Sequence, residues 1–180
     1  WMKDELKLIS SPAETEELAE QANPQDETYL VPAFSGLGAP YWDSDARAVF
    51  YGMSRTTRRA ELVKAGLESI AYQITDVIRA MEEESGIDIR ELRVDGGPTK
   101  NRYLMQFQSD VAKIPVRIPA DEELSGIGAA YASGLAIGLY RKEALFENDK
   151  RTSFMPSMAE ADRQKRYKGW REAVSRTLTK

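Results

Sequence analysis

The stretch Leu92-Arg93-Val94-Asp95-Gly96-Gly97 decides the fold of this chain. Its apolar residues predict a strand, and the two glycines close that strand with a turn. Downstream, the apolar spacing predicts a helix over 100–113, a strand over 114–118 and a helix over 125–140. This order of strand, helix, strand and helix favours a layered α/β domain in which neighbouring strands run parallel.

Outside this region, the strongest apolar pattern is a continuous stripe that predicts one long helix. The apolar patterns of the other segments are weaker or shorter. The long helix is predicted from Arg59 to Glu84, and Gly86 provides a left-handed stop. The other predicted elements are the end of a helix over 1–10, a short helix over 13–22, strands over 29–34 and 48–53, a connecting segment over 141–158 and a basic amphipathic helix over 159–180.

Composition excludes several classes of function. The chain has 180 residues and a net charge of −4, and it contains neither cysteine nor histidine. It therefore has no disulfide framework, no thiolate or histidine metal site and no imidazole base. The acidic balance argues against nucleic-acid binding, and no apolar run approaches the ~20 residues of a membrane span. These features suit a cytoplasmic protein. Because the chain begins with Trp1, inside a predicted helix, we expect a piece of a longer protein.

The most informative turn is Asp95-Gly96-Gly97-Pro98-Thr99-Lys100-Asn101. Glycines at the end of a strand let a ligand approach the backbone, and the next helix start offers N–H groups. Such a turn suits the base, ribose or phosphate of a nucleotide. It is not a P-loop, because the upstream glycine of that motif is missing. On spacing alone, the alternative stays open that this is a purely structural turn from strand to helix, which needs glycine only because φ is positive there.

Other candidate sites have simpler interpretations. Asp43 and Asp45 could hold a cation through their carboxylates, but a solvated turn is the prediction. The small residues of helix 125–140 predict close packing on a sheet, with a ligand beside the helix start as the alternative. The basic face of 159–180 is predicted to be solvated.

Several ordered motifs resemble the FGGY family of sugar kinases, and the first resembles its glycerol kinase branch. These motifs are Phe34-Ser35-Gly36-Leu37-Gly38-Ala39-Pro40-Tyr41-Trp42-Asp43, Ala48–Met53 with Glu61 and Glu68, Arg93–Gly97, Leu104–Asp110, Gly128–Tyr131 and Tyr167–Trp170. Gly66 departs from the family pattern. A glycine inside a helix costs about 1 kcal/mol relative to alanine, so we expect it to reflect close packing.

The resemblance implies an actin-like (ribonuclease H-like) ATPase fold, with 1–180 as a partial C-terminal ATP-binding domain that is incomplete on its N-terminal side. It implies that Gly96, Gly97 and Asn101 contact the adenosine part of ATP, in a cleft against a missing N-terminal kinase domain. The implied reaction is Mg²⁺-assisted phosphorylation of a polyol or sugar, with glycerol favoured. The family's catalytic carboxylate lies in a segment that this chain lacks. No catalytic residue or metal ligand is therefore assigned, and the chain alone is expected to be inactive.

Three alternatives stay open. The substrate could be another sugar, such as xylulose, ribulose or gluconate. The chain could be a non-catalytic actin-like interaction module, or a nucleic-acid binder that uses its basic tail. Exposed sheet edges would also favour self-association, so a homo-oligomer is a further expectation.

Overall fold

The computed structural model describes residues 1–119, 124–141 and 151–179. In chain order, its elements are α1 Glu14–Gln21, β1 Tyr29–Val31, β2 Val49–Tyr51, α2 Arg59–Ser85, β3 Leu92–Arg93, a 3₁₀ helix Gly97–Lys100, α3 Arg102–Ala112, β4 Val116–Pro119, α4 Leu124–Ala136, β5 Arg151–Phe154 and α5 Glu160–Thr177. None of the helices in these ranges combines the length and apolar character needed to cross a membrane.

The strands form two small sheets. β1 and β2 pair antiparallel, with Leu30 opposite Phe50. In the second sheet, β4 lies between β3 and β5. β3 and β4 run parallel, with Leu92 opposite Val116, which confirms the parallel pairing predicted from the order of elements.

β5 was missed by the sequence analysis, which predicted a connecting segment over 141–158. The strand runs antiparallel to β4, with Phe154 opposite Val116. Three of its four residues are Arg, Thr and Ser, so the alternating apolar pattern of a half-buried strand is absent. The part of the predicted segment from 142 to 150 lies outside the described residues.

The prediction that residues 1–10 form the end of a helix is wrong. The carbonyl of Trp1 accepts from the N–H groups of Glu5 and Leu6, which forms a single turn. Lys7 then adopts a left-handed φ of 54°, a conformation that ends helical geometry. The apolar spacing of the segment therefore reflects one turn packed on the domain.

The main core lies between α2, α3 and α5. Trp170 and Tyr72 are 0% and 1% exposed, and their rings stack with centroids 5.1 Å apart. Phe107 of α3 packs edge-on against Tyr72 at 5.3 Å. α2 ends as predicted, with Gly86 as a left-handed cap at φ 66°.

α4 contradicts the predicted close packing of the small-residue helix. Gly126, Gly128, Ala129 and Ala130 are exposed. A Cβ added at either glycine would meet no atom within 4 Å. Within the described ranges, these small residues near the start of the helix are therefore uncovered. Gly134 further along is different, because it is buried and an added Cβ would overlap the ring of Tyr140.

Candidate functional site

The turn after β3 requires glycine at position 96. The N–H of Val94 donates to the carbonyl of Arg117 at 3.0 Å, the last ladder bond of β3. Gly96 then adopts φ 91° and ψ 178°, a region that side chains exclude. Its carbonyl accepts from Thr99, at 3.1 Å from the backbone N–H and 2.7 Å from the hydroxyl. The local fold therefore accounts for this glycine.

Gly97 is different, because the protein itself does not require a glycine there. Its φ lies outside the left-handed region, and an added Cβ would meet no atom within 4 Å. The residue is exposed and begins the 3₁₀ helix. Its missing side chain leaves open space against the backbone, which is what a flat ligand such as a nucleoside would use.

Asn101 caps α3 and still has hydrogen-bonding capacity. Its side-chain oxygen accepts from the N–H of Leu104 at 2.8 Å, and its amide nitrogen donates to the hydroxyl of Thr15 at 3.1 Å. A primary amide has two N–H donors and two oxygen lone pairs, so one of each remains. That pair matches the adjacent donor and acceptor atoms on the edge of a purine base.

The helix start behind this turn is not open, contrary to the prediction of free N–H groups. The N–H of Arg102 donates to a carboxylate oxygen of Glu16 at 3.0 Å, and that of Leu104 is taken by Asn101. The carboxylate at this position also repels a phosphate. The turn therefore suits the base or ribose of a nucleotide better than its phosphates.

A buried carboxylate fixes α3 against α2. Tyr103 donates its hydroxyl to Glu68 at 2.6 Å, and Lys64 lies 3.1 Å from the same oxygen. Burial raises the pKa of Tyr103 well above its usual range, and the charge of Glu68 adds to the effect. The tyrosine therefore stays a neutral donor, and the N-terminus of α3 is held in place.

Asp43 is buried, so the solvated turn predicted for Asp43 and Asp45 is wrong at the first of these residues. Only 2% of Asp43 is exposed, and its carboxylate accepts from the backbone N–H of Thr179 at 2.7 Å and from that of Asp45 at 3.1 Å. Hydrogen bonds, first of all from the Thr179 backbone, lower the pKa of Asp43. The carboxylate is thus committed to backbone N–H groups and to the hydroxyl of Thr179. Across the described ranges, no group of three or more acidic, His or Cys side chains could hold a metal ion.

Gly96, Gly97 and Asn101 thus lie on one turn between β3 and α3, with both glycines exposed and Asn101 half-buried. Sequence reasoning missed Thr15 and Glu16, which come from α1 and contact the start of α3. Each lies 86 residues from its partner, and neither stands in a recognisable motif. Only the fold brings them to the turn.

Comparison with known proteins gives a consistent match. The model of the C-terminal domain of the FGGY family of carbohydrate kinases matches residues 1–137. Glycerol kinase 2 of Thermotoga maritima is 48% identical over 99% of this chain, and the glycerol kinase of Lactococcus lactis is 45% identical over 98%. The chain spans 36% of the length of each of these relatives.

Solved structures agree with the sequence comparison. The structure of Plasmodium falciparum glycerol kinase with ADP superposes with a TM-score of 0.89 at 35% identity, over 99% of this chain and 36% of that one. A ligand-bound xylulose kinase of Lactobacillus acidophilus has a TM-score of 0.79 at 19% identity, over 98% of this chain and 36% of its own. At that identity the second likeness concerns the fold alone, and both confirm the predicted α/β class of the kinase family.

Proposed function

The chain belongs to the FGGY family of carbohydrate kinases, and on this premise we propose that it supplies the nucleotide-side domain of an ATP-dependent polyol kinase. The proposed reaction transfers the γ-phosphoryl group of ATP to a hydroxyl of glycerol, giving glycerol 3-phosphate. Positioning and charge stabilisation dominate such transfers, so a domain that only orients the nucleotide contributes directly to the rate.

The observation that carries the nucleotide site is the open backbone at Gly97, which neither conformation nor packing explains. In the proposed complex, the adenosine part of ATP lies against Gly96 and Gly97. The amide of Asn101 contacts the base with its remaining donor and acceptor. The P. falciparum glycerol kinase structure, which is a structure with ADP, supports a nucleotide in this fold.

Glycerol is the substrate favoured by the relatives, because those identical to this chain at 45% and 48% of the aligned positions are glycerol kinases. The described residues contain no carboxylate cluster for a metal. No described residue is therefore assigned to the Mg²⁺ that accompanies ATP, and the family resemblance puts the carboxylate that accepts the substrate proton in a segment that this chain lacks. Within this proposal, the 180-residue chain alone is inactive.

A substrate panel tests the reaction. The full-length protein is assayed for ADP release with glycerol, xylulose, ribulose, gluconate and erythritol, and products are identified by mass. Turnover with glycerol, giving glycerol 3-phosphate, is the expected result. Turnover with another compound only would overturn the assignment of glycerol as the substrate. No ADP release with any compound in the panel would overturn the proposed kinase activity.

The nucleotide site has its own test. Gly97→Val places a branched side chain where the ligand is proposed to lie, so we expect the Kd for ATP, measured calorimetrically on the full-length protein, to rise about tenfold or more. Gly38→Val is the matched control, because Gly38 is also exposed with open space around it but lies on another loop. Equal ATP affinity of the two variants would contradict the site.

A further inference from the structure

Thr15, in the first turn of α1, contacts the amide of Asn101 with a hydroxyl whose proton is already used. That hydroxyl donates to the carbonyl of Pro12 at 2.7 Å. A threonine side chain has a single O–H, so toward any other group this oxygen acts as an acceptor. The group that it meets is the side-chain nitrogen of Asn101, 3.1 Å away. Thr15 therefore requires the nitrogen end of the amide, and not the oxygen end, on its side.

The backbone of α3 makes the complementary demand on the same amide. The N–H of Leu104 needs an acceptor, and the side-chain oxygen of Asn101 lies 2.8 Å from that nitrogen. A half-turn of the amide would place N–H against N–H at Leu104 and oxygen against oxygen at Thr15. Both hydrogen bonds would be lost, and like partial charges would meet at each end. The amide is thus held in one orientation from two sides.

α1 is itself anchored at the residues before and after Thr15. Glu14 forms an ion pair with Arg59 of α2. Glu16 accepts from the backbone N–H of Arg102, at the start of α3, over 3.0 Å. The hydroxyl of Thr15 is therefore held at a fixed place beside the turn, so it can impose an orientation on Asn101.

The orientation of the amide decides which purine matches it. Adenine carries a 6-amino donor next to the ring acceptor N7, and an asparagine reads this pair with its oxygen and one N–H. Those are the lone pair and the N–H that Asn101 has left. A 6-oxo purine, such as guanine or hypoxanthine, instead carries an acceptor at position 6. That acceptor would face the oxygen of the amide, and only a rotated amide would offer it an N–H.

We propose that Thr15 is a positioning residue that fixes the amide of Asn101 and thereby makes the site prefer 6-amino over 6-oxo purine nucleotides. The inference rests on the proposed function, because it takes the base of ATP to lie against Asn101. Thr15 does not touch the nucleotide. Its whole effect on the base passes through the amide that it orients.

Two substitutions and two nucleotides test the proposal. Thr15→Val keeps the shape of the side chain and removes the hydroxyl, whereas Thr15→Ser is the matched control that keeps the hydroxyl. The Kd values for ATP and for inosine triphosphate (ITP), which has a 6-oxo group in place of the 6-amino group, are measured calorimetrically on the full-length proteins. The ratio of the two Kd values is the readout. A general loosening of the fold weakens both nucleotides alike and leaves this ratio unchanged.

In the unsubstituted protein we expect ITP to bind about tenfold or more weakly than ATP. Thr15→Val should reduce this ratio at least about threefold, because one of the two hydrogen bonds that oppose rotation of the amide is lost. Thr15→Ser should keep the ratio. In an Asn101→Ala background, Thr15→Val should leave the ratio unchanged, since the amide on which Thr15 acts is then missing.

An unchanged ratio in Thr15→Val would overturn the role of Thr15, and so would an equal fall in Thr15→Ser. Equal affinity of the unsubstituted protein for ATP and ITP would also overturn the inference, while leaving the proposed ATP site in place. Failure of the unsubstituted protein to bind ATP would overturn the proposed function together with the inference, so the two failures are distinguishable.

Discussion

Trp170 donates its indole N–H to a carboxylate oxygen of Asp76 over 2.7 Å, and both side chains are buried. The same carboxylate accepts from the hydroxyl of Tyr41 at 2.8 Å and from that of Tyr167. Burial, with the hydrogen bond to Asp76 second, raises the pKa of Tyr167 to about 12. We call the carboxylate of Asp76 and its three neutral donors, Tyr41, Tyr167 and Trp170, the Asp76 cluster. This cluster joins the loop before β2, the long helix α2 and the C-terminal helix α5.

Tyr41→Phe removes one donor of the Asp76 cluster and leaves the ring in place. Since hydrogen bonds to buried charges contribute more than neutral ones, we expect a loss of about 1–3 kcal/mol in the free energy of unfolding, measured by urea denaturation. Tyr51→Phe is the control, because its hydroxyl also donates to a carboxylate, that of Glu172, but at the surface. Equal losses for the two variants would show that burial of Asp76 adds nothing.

Acid should weaken the attachment of the C-terminus through Asp43. The pKa of Asp43 is lower in the folded chain, first because the Thr179 backbone donates to it. Its contribution to stability is therefore complete above the unfolded pKa near 3.8 and is lost as the pH falls through the lower folded value. Urea unfolding between pH 6 and pH 2 should show a smaller loss of stability for Asp43→Asn than for the unsubstituted chain.

Asp45→Asn is the control for this pH dependence. Asp45 is exposed, although it lies only two residues from Asp43. We expect this variant to follow the unsubstituted chain across the same pH range. If Asp43→Asn did so as well, the carboxylate of Asp43 would not be linked to folding.

Local signals predicted much of this fold. The 27-residue helix α2 and its stop at Gly86 follow from apolar spacing and glycine conformation, both of which are properties of neighbouring residues. The environment of Asp43 could not be predicted, because its main partner, Thr179, lies 136 residues away. An aspartate in a turn has the same local sequence whether it is solvated or buried, and only long-range packing decides between the two.

The candidate turn shows the same division between local and long-range signals. A glycine at position 96 is a local requirement of a turn with positive φ, so the sequence can indicate it. The closure of the α3 start by Glu16 depends on where α1 packs. The contact with Glu16 cannot be seen in the local sequence, which therefore predicts a helix N-terminus with free N–H groups that could bind a phosphate. That prediction was wrong for this reason.

Gly66 should be explained by its contact with Met2. An added Cβ would overlap the terminal methyl of Met2, which supports the expectation that this glycine reflects close packing. Gly66→Ala alone gains helix propensity, but its Cβ must displace the side chain of Met2. We therefore expect little net change in the free energy of unfolding. In a Met2→Ala background the same change should stabilise by about 1 kcal/mol.

A double-mutant cycle measures this coupling by urea denaturation of the four proteins. The two substitutions at 2 and 66 should be non-additive by several tenths of a kcal/mol or more. Strict additivity would show that Met2 does not occupy the space above Gly66, and the departure from the family pattern would then need another cause.

Asn101 combines a structural role with a proposed binding role, and two substitutions separate them. Asn101→Ala removes both the cap on Leu104 and the amide, so we expect about 1 kcal/mol of lost stability and a rise of about tenfold in the Kd for ATP. Asn101→Ser keeps a capping oxygen, since serine caps helices as well as asparagine does, but it cannot reach a base. Although it loses the hydrogen bond to Thr15, it keeps the cap and should therefore lose less stability in urea than Asn101→Ala, and yet bind ATP as weakly. Normal ATP affinity in the serine variant would reduce Asn101 to a helix cap, because loss of the amide would then have no effect on the nucleotide.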